Sequence, residues 1–135
     1  MTVIVTDAGF GPEDWTAGFT PLAEAGPGTR ALDLANTDAA EAVAAVFGQV
    51  ALIRVTFPAF NDGRGFTLAR RLRALGFTGR LRAAGHVIAD QYAMARRVGF
   101  DEVEISDDLA ARQPAAQWQA RAAWTAHDYQ SRLRA

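Results

Sequence analysis

The chain has 135 residues, half of them hydrophobic, and its charges nearly cancel at a formal net charge of -1. This length suits one domain, and the balanced charge gives no support to a nucleic-acid-binding surface or a disordered acidic tail. All 14 basic residues are arginine and no cysteine occurs, which excludes disulfides, thiolate-bound zinc, protein-bound iron–sulfur clusters, a cysteine nucleophile, a Schiff-base lysine and a phosphate-loop lysine.

The N-terminus carries no signal-peptide pattern, and no uncharged run approaches the roughly 18 residues that a membrane span needs. We therefore expect a cytoplasmic protein without membrane contact. Its expected partner is a small molecule or another protein.

The predicted elements fall into three parts along the chain. Residues 1–29 begin with a β-like run, Thr2 to Val5, and continue as a stretch rich in glycine and proline that is typical of loop. In residues 30–113 a strand followed by a helix recurs, with predicted strands Arg30 to Leu34, Val50 to Phe57, Arg80 to Ala84 and Glu102 to Ile105. The predicted helices between them are Asn36 to Phe47, Phe66 to Leu75 and Val87 to Val98, each followed by a glycine. A C-terminal helix is predicted in residues 114–135, from Pro114 to about Leu133.

Strands that alternate with helices predict parallel βαβ units in one α/β domain. Because about 98% of such crossovers are right-handed, sequentially ordered strands place every helix on the same face of the sheet, as in the wall of a βα-barrel. The predicted fold is therefore a set of repeated βα units with a mainly parallel, open, barrel-like sheet and a C-terminal helix. About five short strands cannot close a barrel, so a homo-oligomer that covers the open edges is an alternative to a free monomer.

One charged residue stands in the middle of each predicted strand between apolar neighbours. Period-two alternation places these residues on one face of the sheet, opposite the helices: Asp33, Arg54, Arg82 and Glu104. The two arginines either neutralise the two acids in a structural network, which we favour for most of their charge, or present positive charge to a ligand, with Arg82 as the substrate-binding candidate.

The loop Phe57 to Phe66 joins a predicted strand to a helix, and ligands of α/β folds gather at such loops. Its two glycines allow close approach, the helix N-terminus aims free amides at it, and its arginine is a bidentate donor. The candidate residues are Asn61, Gly63, Arg64 and Gly65 for binding a small oxyanion such as sulfite, and Asp62 for catalysis. In the structural alternative, Asp62 caps backbone amides and pairs with Arg64.

A second candidate loop follows the strand Arg80 to Ala84. His86 stands near a helix N-terminus, Asp90 lies one helical turn later, where it could orient the imidazole, and Gln91 is a further binding candidate. The alternative is that His86 caps the helix and Asp90 favours its dipole. His127 is expected to be solvated, and metal-ligand spacing is absent, so no metal site is predicted.

The arginines of two predicted helices and the aromatic residues of the tail could form a docking surface for an acidic partner, although a solvated face is the simpler interpretation. The residues concerned are Arg70, Arg71, Arg73, Arg96, Arg97, Trp118, Trp124 and Tyr129.

Several of these motifs, taken in order, resemble those of an uncharacterised bacterial family described as probable oxidoreductases of sulfite reduction. They are Phe57-Pro-x-Phe-x-Asp-Gly-Arg-Gly-Phe, Leu72-Arg, Gly79-x-Leu-Arg-Ala-x-Gly85, Asp90-Gln91 and Gly99-Phe-Asp101. The resemblance implies gene context beside a sulfite or nitrite reductase, and hence that reductase as a partner. It supplies no catalytic residues and no cofactor. The chain departs from the usual family residues at His86, Ala89 and Val98.

Two functions remain open from the sequence. The first is an accessory protein or oxidoreductase of assimilatory sulfite reduction with an oxyanion-binding loop. The chain has no Gly-x-Gly-x-x-Gly dinucleotide fingerprint, so the cofactor of such an enzyme is unknown. Its electrons would come from a bound cofactor or a partner. The second is a non-catalytic docking or assembly partner of the reductase.

Overall fold

A computed structural model describes residues 2–122. In that part of the chain the strands are β1 Thr2–Thr6, β2 Gly9–Gly11, β3 Thr20–Pro21, β4 Ala31–Ala35, β5 Leu52–Phe57, β6 Arg80–Gly85 and β7 Glu102–Ser106. The helices are α1 Ala40–Ala44, α2 Arg64–Ala74, α3 Tyr92–Val98, α4 Asp107–Arg112 and α5 Ala115–Gln119. Short 3₁₀ turns occur at Leu22–Glu24 and Ala89–Gln91.

The described strands form one sheet in the order β2-β1-β7-β6-β5-β4-β3. All pairs from β3 to β7 are parallel, whereas β1 is antiparallel to both β7 and β2. The prediction of a mainly parallel α/β sheet is confirmed. Sequential order holds from β3 to β7, whereas β1 lies beside β7. The sheet is open, with β2 and β3 at its edges.

The helices α1, α2 and α3 line one side of this sheet, since α2 packs against both of the others. The core lies between them and the apolar side of the strands. It includes Leu32, Ile53, Val55, Leu81 and Val103, none of which is exposed.

The short strands and helices differ most from the sequence prediction. The N-terminal stretch expected to be loop contains β2, which forms a hairpin with β1, and β3, which pairs with β4. Both strands are too short for their pattern to show in the sequence. The predicted helix Asn36 to Phe47 is helical only over Ala40–Ala44, and the one from Val87 begins as a 3₁₀ turn. The predicted C-terminal helix from Pro114 is helical over Ala115–Gln119. Its predicted residues Trp124, His127, Tyr129 and Leu133 lie outside the described part.

Helix α4 was not predicted from the sequence. Its N-cap is Ser106, whose Oγ accepts a hydrogen bond from the amide of Leu109 at 3.1 Å. Asp107 and Asp108 follow in the first turn, where the helix dipole favours acids.

No helix within residues 2–122 is long and apolar enough to cross a membrane.

Candidate functional site

The loops that follow β5 and β6 meet around Phe57, at the carboxyl end of β5. The carbonyl oxygen of Phe57 accepts a hydrogen bond from the amide of His86 at 3.0 Å. Gly85 has φ +98, and a β-carbon there would lie 2.7 Å from that carbonyl oxygen. A β-carbon on Gly65 would come within 2.4 Å of the Phe57 ring. These two motif glycines therefore allow the loops to pack tightly around Phe57.

The β5–α2 loop satisfies its own charges. The guanidinium of Arg64 donates to both carboxylate oxygens of Asp62, at 2.9 and 2.7 Å, and the Arg64 amide lies 3.3 Å from Asp62 Oδ1. The bonds from Arg64, followed by the side chain of Asn36, hold the pKa of Asp62 well below its usual range. A carboxylate of the chain itself thus occupies the N-terminus of α2, as in the structural alternative, and the Asn61 side chain is exposed.

The sequence suggested that Asp90 could orient the imidazole of His86, but the two side chains do not contact each other. The Nδ1 atom of His86 lies 3.3 Å from the Phe57 carbonyl oxygen. Because a carbonyl can only accept, Nδ1 carries the proton in this contact, which leaves Nε2 of the neutral ring as an acceptor. Asp90 instead pairs with Arg121 at 2.8 Å, and both side chains are at least half exposed.

Gln91 joins the two loops. Its Nε2 donates to the carbonyl oxygen of Phe60 at 2.6 Å, and its Oε1 accepts from the amide of Ile88 at 3.0 Å. This side chain is fully engaged within the protein, so its observed role is to fix the β5–α2 loop against the start of the 3₁₀ turn.

Arg82 lies on the polar face of the sheet and is fully buried. Its guanidinium contacts Glu102 at 2.5 Å, Glu13 at 2.5 Å and Glu104 at 2.8 Å. Burial disfavours its charge, but the hydrogen bonds to these carboxylates outweigh that effect and raise the pKa of Arg82. The arginine is therefore committed to a structural network.

Arg54 extends this network. It bonds Asp33 at 2.7 Å and Glu104 at 3.2 Å, and its guanidinium lies 3.8 Å from the centre of the Phe19 ring. The predicted common face of the four charged strand residues is confirmed by these contacts. The segment from Glu13 to Phe19 lies over that face.

A cleft of about 600 Å³ opens at the carboxyl ends of β6 and β7, beside the β5–α2 loop. Its apolar wall comprises Phe60, Ile88, Ile105 and Leu109. Its polar residues are Thr2, His86, Glu104, Ser106, Arg112 and Gln113.

Arg112 is the charged residue of this cleft that the sequence did not indicate. It is exposed in the last turn of α4, and its side chain makes no hydrogen bond or ion pair with any residue in the range 2–122. The Ser106-Asp107-Asp108 cap could have predicted α4 and thereby placed Arg112 at its end.

The helix arginines considered for docking mostly bind their own chain. Arg71 pairs with Glu41, and Arg96 donates to the Phe100 carbonyl at 2.6 Å. Arg73 donates to three backbone carbonyls in the loops that precede β6 and β7, those of Phe77, Gly79 and Gly99.

Within residues 2–122, no three histidine, aspartate or glutamate side chains cluster as metal ligands would.

A family model described as "Bacterial protein of unknown function (DUF934)" matches residues 31–135. The matched range contains β4 to β7 and the cleft residues from Phe60 onward, and it omits β1 to β3. Comparison with curated proteins gave no significant match, and neither did comparison with solved structures.

Proposed function

Because the chain belongs to the DUF934 family of bacterial proteins, whose motifs it carries, we propose that it is an accessory protein of assimilatory sulfite reduction that binds an oxyanion group. The binding site is the cleft beside the β5–α2 loop, with Arg112 as the charged donor and His86 as the group that exchanges a proton. Any redox step would take its electrons from a bound cofactor or a partner, because the chain has no cysteine.

The observation that carries this proposal is the difference between two exposed arginines. Arg64 already donates to both oxygens of Asp62, whereas Arg112 borders a cleft and has no side-chain partner among residues 2–122. An oxyanion gains a charge-assisted hydrogen bond from Arg112 without displacing a carboxylate of the chain.

Glu104 is the carboxylate that also lines the cleft. It is 12% exposed and is paired with both Arg54 and Arg82. Its charge is therefore directed toward the arginines of the sheet, which it shares with Asp33, Glu13 and Glu102.

Thermal unfolding with and without sulfite, sulfate or phosphate tests the proposal. A ligand at about 100 times its dissociation constant stabilises the fold by roughly 2.7 kcal/mol, so the melting temperature rises. We expect Arg112→Gln to lose this response and Arg64→Ala to keep it. If Arg64→Ala alone lost the response, the oxyanion site would be the Asn61 to Phe66 loop. If the unaltered protein showed no response, oxyanion binding would be rejected.

A second candidate function is non-catalytic docking on the sulfite or nitrite reductase. It is favoured by Phe60, whose side chain is 58% exposed at the border of the cleft, where a partner could bury it. Retention of the protein on immobilised reductase, weakened by Phe60→Ala and unaffected by oxyanions, would support docking over ligand binding. Self-association through the open edges of the sheet would instead appear as a dimer in sedimentation.

A further inference from the structure

We propose that the oxyanion bound at Arg112 is the single headgroup of an organic anion with an apolar body, such as an aryl or alkyl sulfonate, carboxylate or phosphate ester. This inference rests on the proposed function, because it uses the same cleft. It differs in the ligand class, since a free inorganic ion would have the headgroup alone.

The size of the cleft favours a body beyond the headgroup. Its volume is about 600 Å³, which corresponds to roughly 20 molecules of liquid water at about 30 Å³ each. Clefts that bind small organic molecules span roughly 300 to 1,000 Å³. A sulfite or sulfate ion would fill only a small part of this space and would leave the apolar wall in contact with water.

The chemistry of the wall separates into an apolar region and one cationic position. Phe60, Ile88 and Leu109 provide aromatic and aliphatic surface that gains nothing from an inorganic ion but stabilises an apolar body by removing it from water. Arg112 is the one arginine or lysine among the described residues that line the cleft. The lining therefore offers an apolar surface for a body and a single charged donor for a headgroup.

The side-chain oxygens of two further polar residues of the cleft already accept hydrogen bonds from the backbone. Ser106 Oγ accepts from the Leu109 amide, and Gln113 Oε1 accepts from the Ala89 amide at 2.8 Å. Inorganic oxyanion sites usually collect several backbone or side-chain donors around one ion. With Arg112 as the one cationic side chain among the described lining residues, the cleft fits one anionic headgroup.

Three small probes separate the headgroup from the body: sulfate, benzenesulfonate and the neutral benzenesulfonamide. Dissociation constants are measured by NMR titration of the full-length protein. We expect benzenesulfonate to bind roughly tenfold more tightly than sulfate, because burying apolar area contributes about 25 cal/mol per Å². We expect a similar factor over benzenesulfonamide, because a hydrogen bond between charged groups contributes more than a neutral one.

Matched variants assign each part of the ligand to its residue. Arg112→Gln should weaken benzenesulfonate roughly tenfold and leave the sulfonamide unchanged, because a charge-assisted hydrogen bond is lost. Its control is Arg70→Gln, another exposed arginine, on α2 and outside the cleft lining. Phe60→Ala should weaken both aromatic probes and leave sulfate unchanged, and its control is Met94→Ala, an apolar residue on α3 that is 46% exposed.

The outcomes distinguish this inference from the proposed function. Equal affinity for sulfate and benzenesulfonate, lost in Arg112→Gln, would overturn the organic ligand and keep oxyanion binding. If the sulfonamide bound as tightly as benzenesulfonate, the anionic headgroup would not contribute to binding, and both proposals would be rejected. Benzenesulfonate binding that survives Arg112→Gln and Phe60→Ala would place the ligand elsewhere and reject the cleft.

Discussion

Gly65 lies directly against the ring of Phe57: a β-carbon on this glycine would be 2.4 Å from Cζ of the ring. Phe57 is 1% exposed and packs against Phe66 and Phe100, with ring centres 4.9 and 5.9 Å away. The ring cannot move aside without disturbing the core. We expect Gly65→Ala to lower the free energy of unfolding by about 1 to 3 kcal/mol, the usual cost of overpacking, as measured by urea unfolding.

The control for this variant is Gly63→Ala in the same loop. A β-carbon on Gly63 would have its nearest neighbour at 4.0 Å, so only a small loss of stability is expected. Equal losses in the two variants would mean that the loop needs glycine flexibility rather than close packing on Phe57.

The buried Arg82 network should be costly to break. Arg82→Met removes the cation that lies between Glu13, Glu102 and Glu104, and Glu102 is only 6% exposed. Glu102 keeps its pair with Arg80 and Glu104 keeps its pair with Arg54. Because both still lose a buried cation, we expect a loss of about 3 kcal/mol in the free energy of unfolding, the lower end for a broken buried ion pair. Arg70→Gln should change it by less than about 0.5 kcal/mol, as surface substitutions usually do. A loss below about 1 kcal/mol in Arg82→Met would contradict the structural role.

Glu13 should make stability depend on pH in the acidic range. Burial raises its pKa, but the hydrogen bonds from Arg82 and from the amide of Trp15, together with the charge of Arg82, outweigh burial, so the folded-state pKa lies below the ordinary 4.5. Its contribution is therefore present above pH 4.5 and is lost as the pH falls through the lowered folded-state value. We expect Glu13→Gln to cost about 1 kcal/mol at neutral pH.

The same variant should converge with the unaltered protein in acid, as followed by urea unfolding at several pH values. A difference between the two proteins that stays constant from neutral to strongly acidic pH would show that the carboxylate charge of Glu13 does not contribute to the ion pair.

Tyr92 should make stability depend on pH in the alkaline range. Burial, together with the hydrogen bond to Asp7 at 2.5 Å, raises the pKa of Tyr92 above the ordinary 10.0. The unfolded chain releases this proton first, so the stabilisation present below pH 10 declines as the pH rises above it. Tyr92→Phe should be less stable at neutral pH, and its free energy of unfolding in urea should decline less steeply as the pH rises. The same decline in both proteins would contradict a raised pKa of Tyr92.

The strands of the parallel core were predictable because their patterns are local. Leu52 to Phe57 combines β-branched residues with period-two alternation, and the glycine at 99 ends α3 with φ +116. The segment from Glu13 to Phe19 has no period, and its position depends on contacts with Arg82 and Arg54. Such contacts join residues that are far apart in sequence, so no local pattern reports them.

The site was harder to predict because glycine and arginine occur both in anion-binding sites and in close packing or ion pairs. A glycine beside an arginine suits an anion, but Gly65 is required by the Phe57 ring and Arg64 is bound by Asp62. The sequence does not specify which neighbour a glycine faces. Arg112 carried no motif, and only the tertiary placement of α4 brings it to the cleft.

The antiparallel pairing of β1 with β7 has a consequence for synthesis on the ribosome. Thr2 pairs with Ser106, so β1 can pair with β2 at once but lacks β7 until roughly 100 more residues have been added. At roughly 5 to 20 residues per second this delay lasts roughly 5 to 20 seconds. During that time the apolar residues Ile4 and Val5, buried in the finished sheet, remain in water. Exposed apolar residues and an unpaired strand edge make a nascent chain prone to aggregation during this interval.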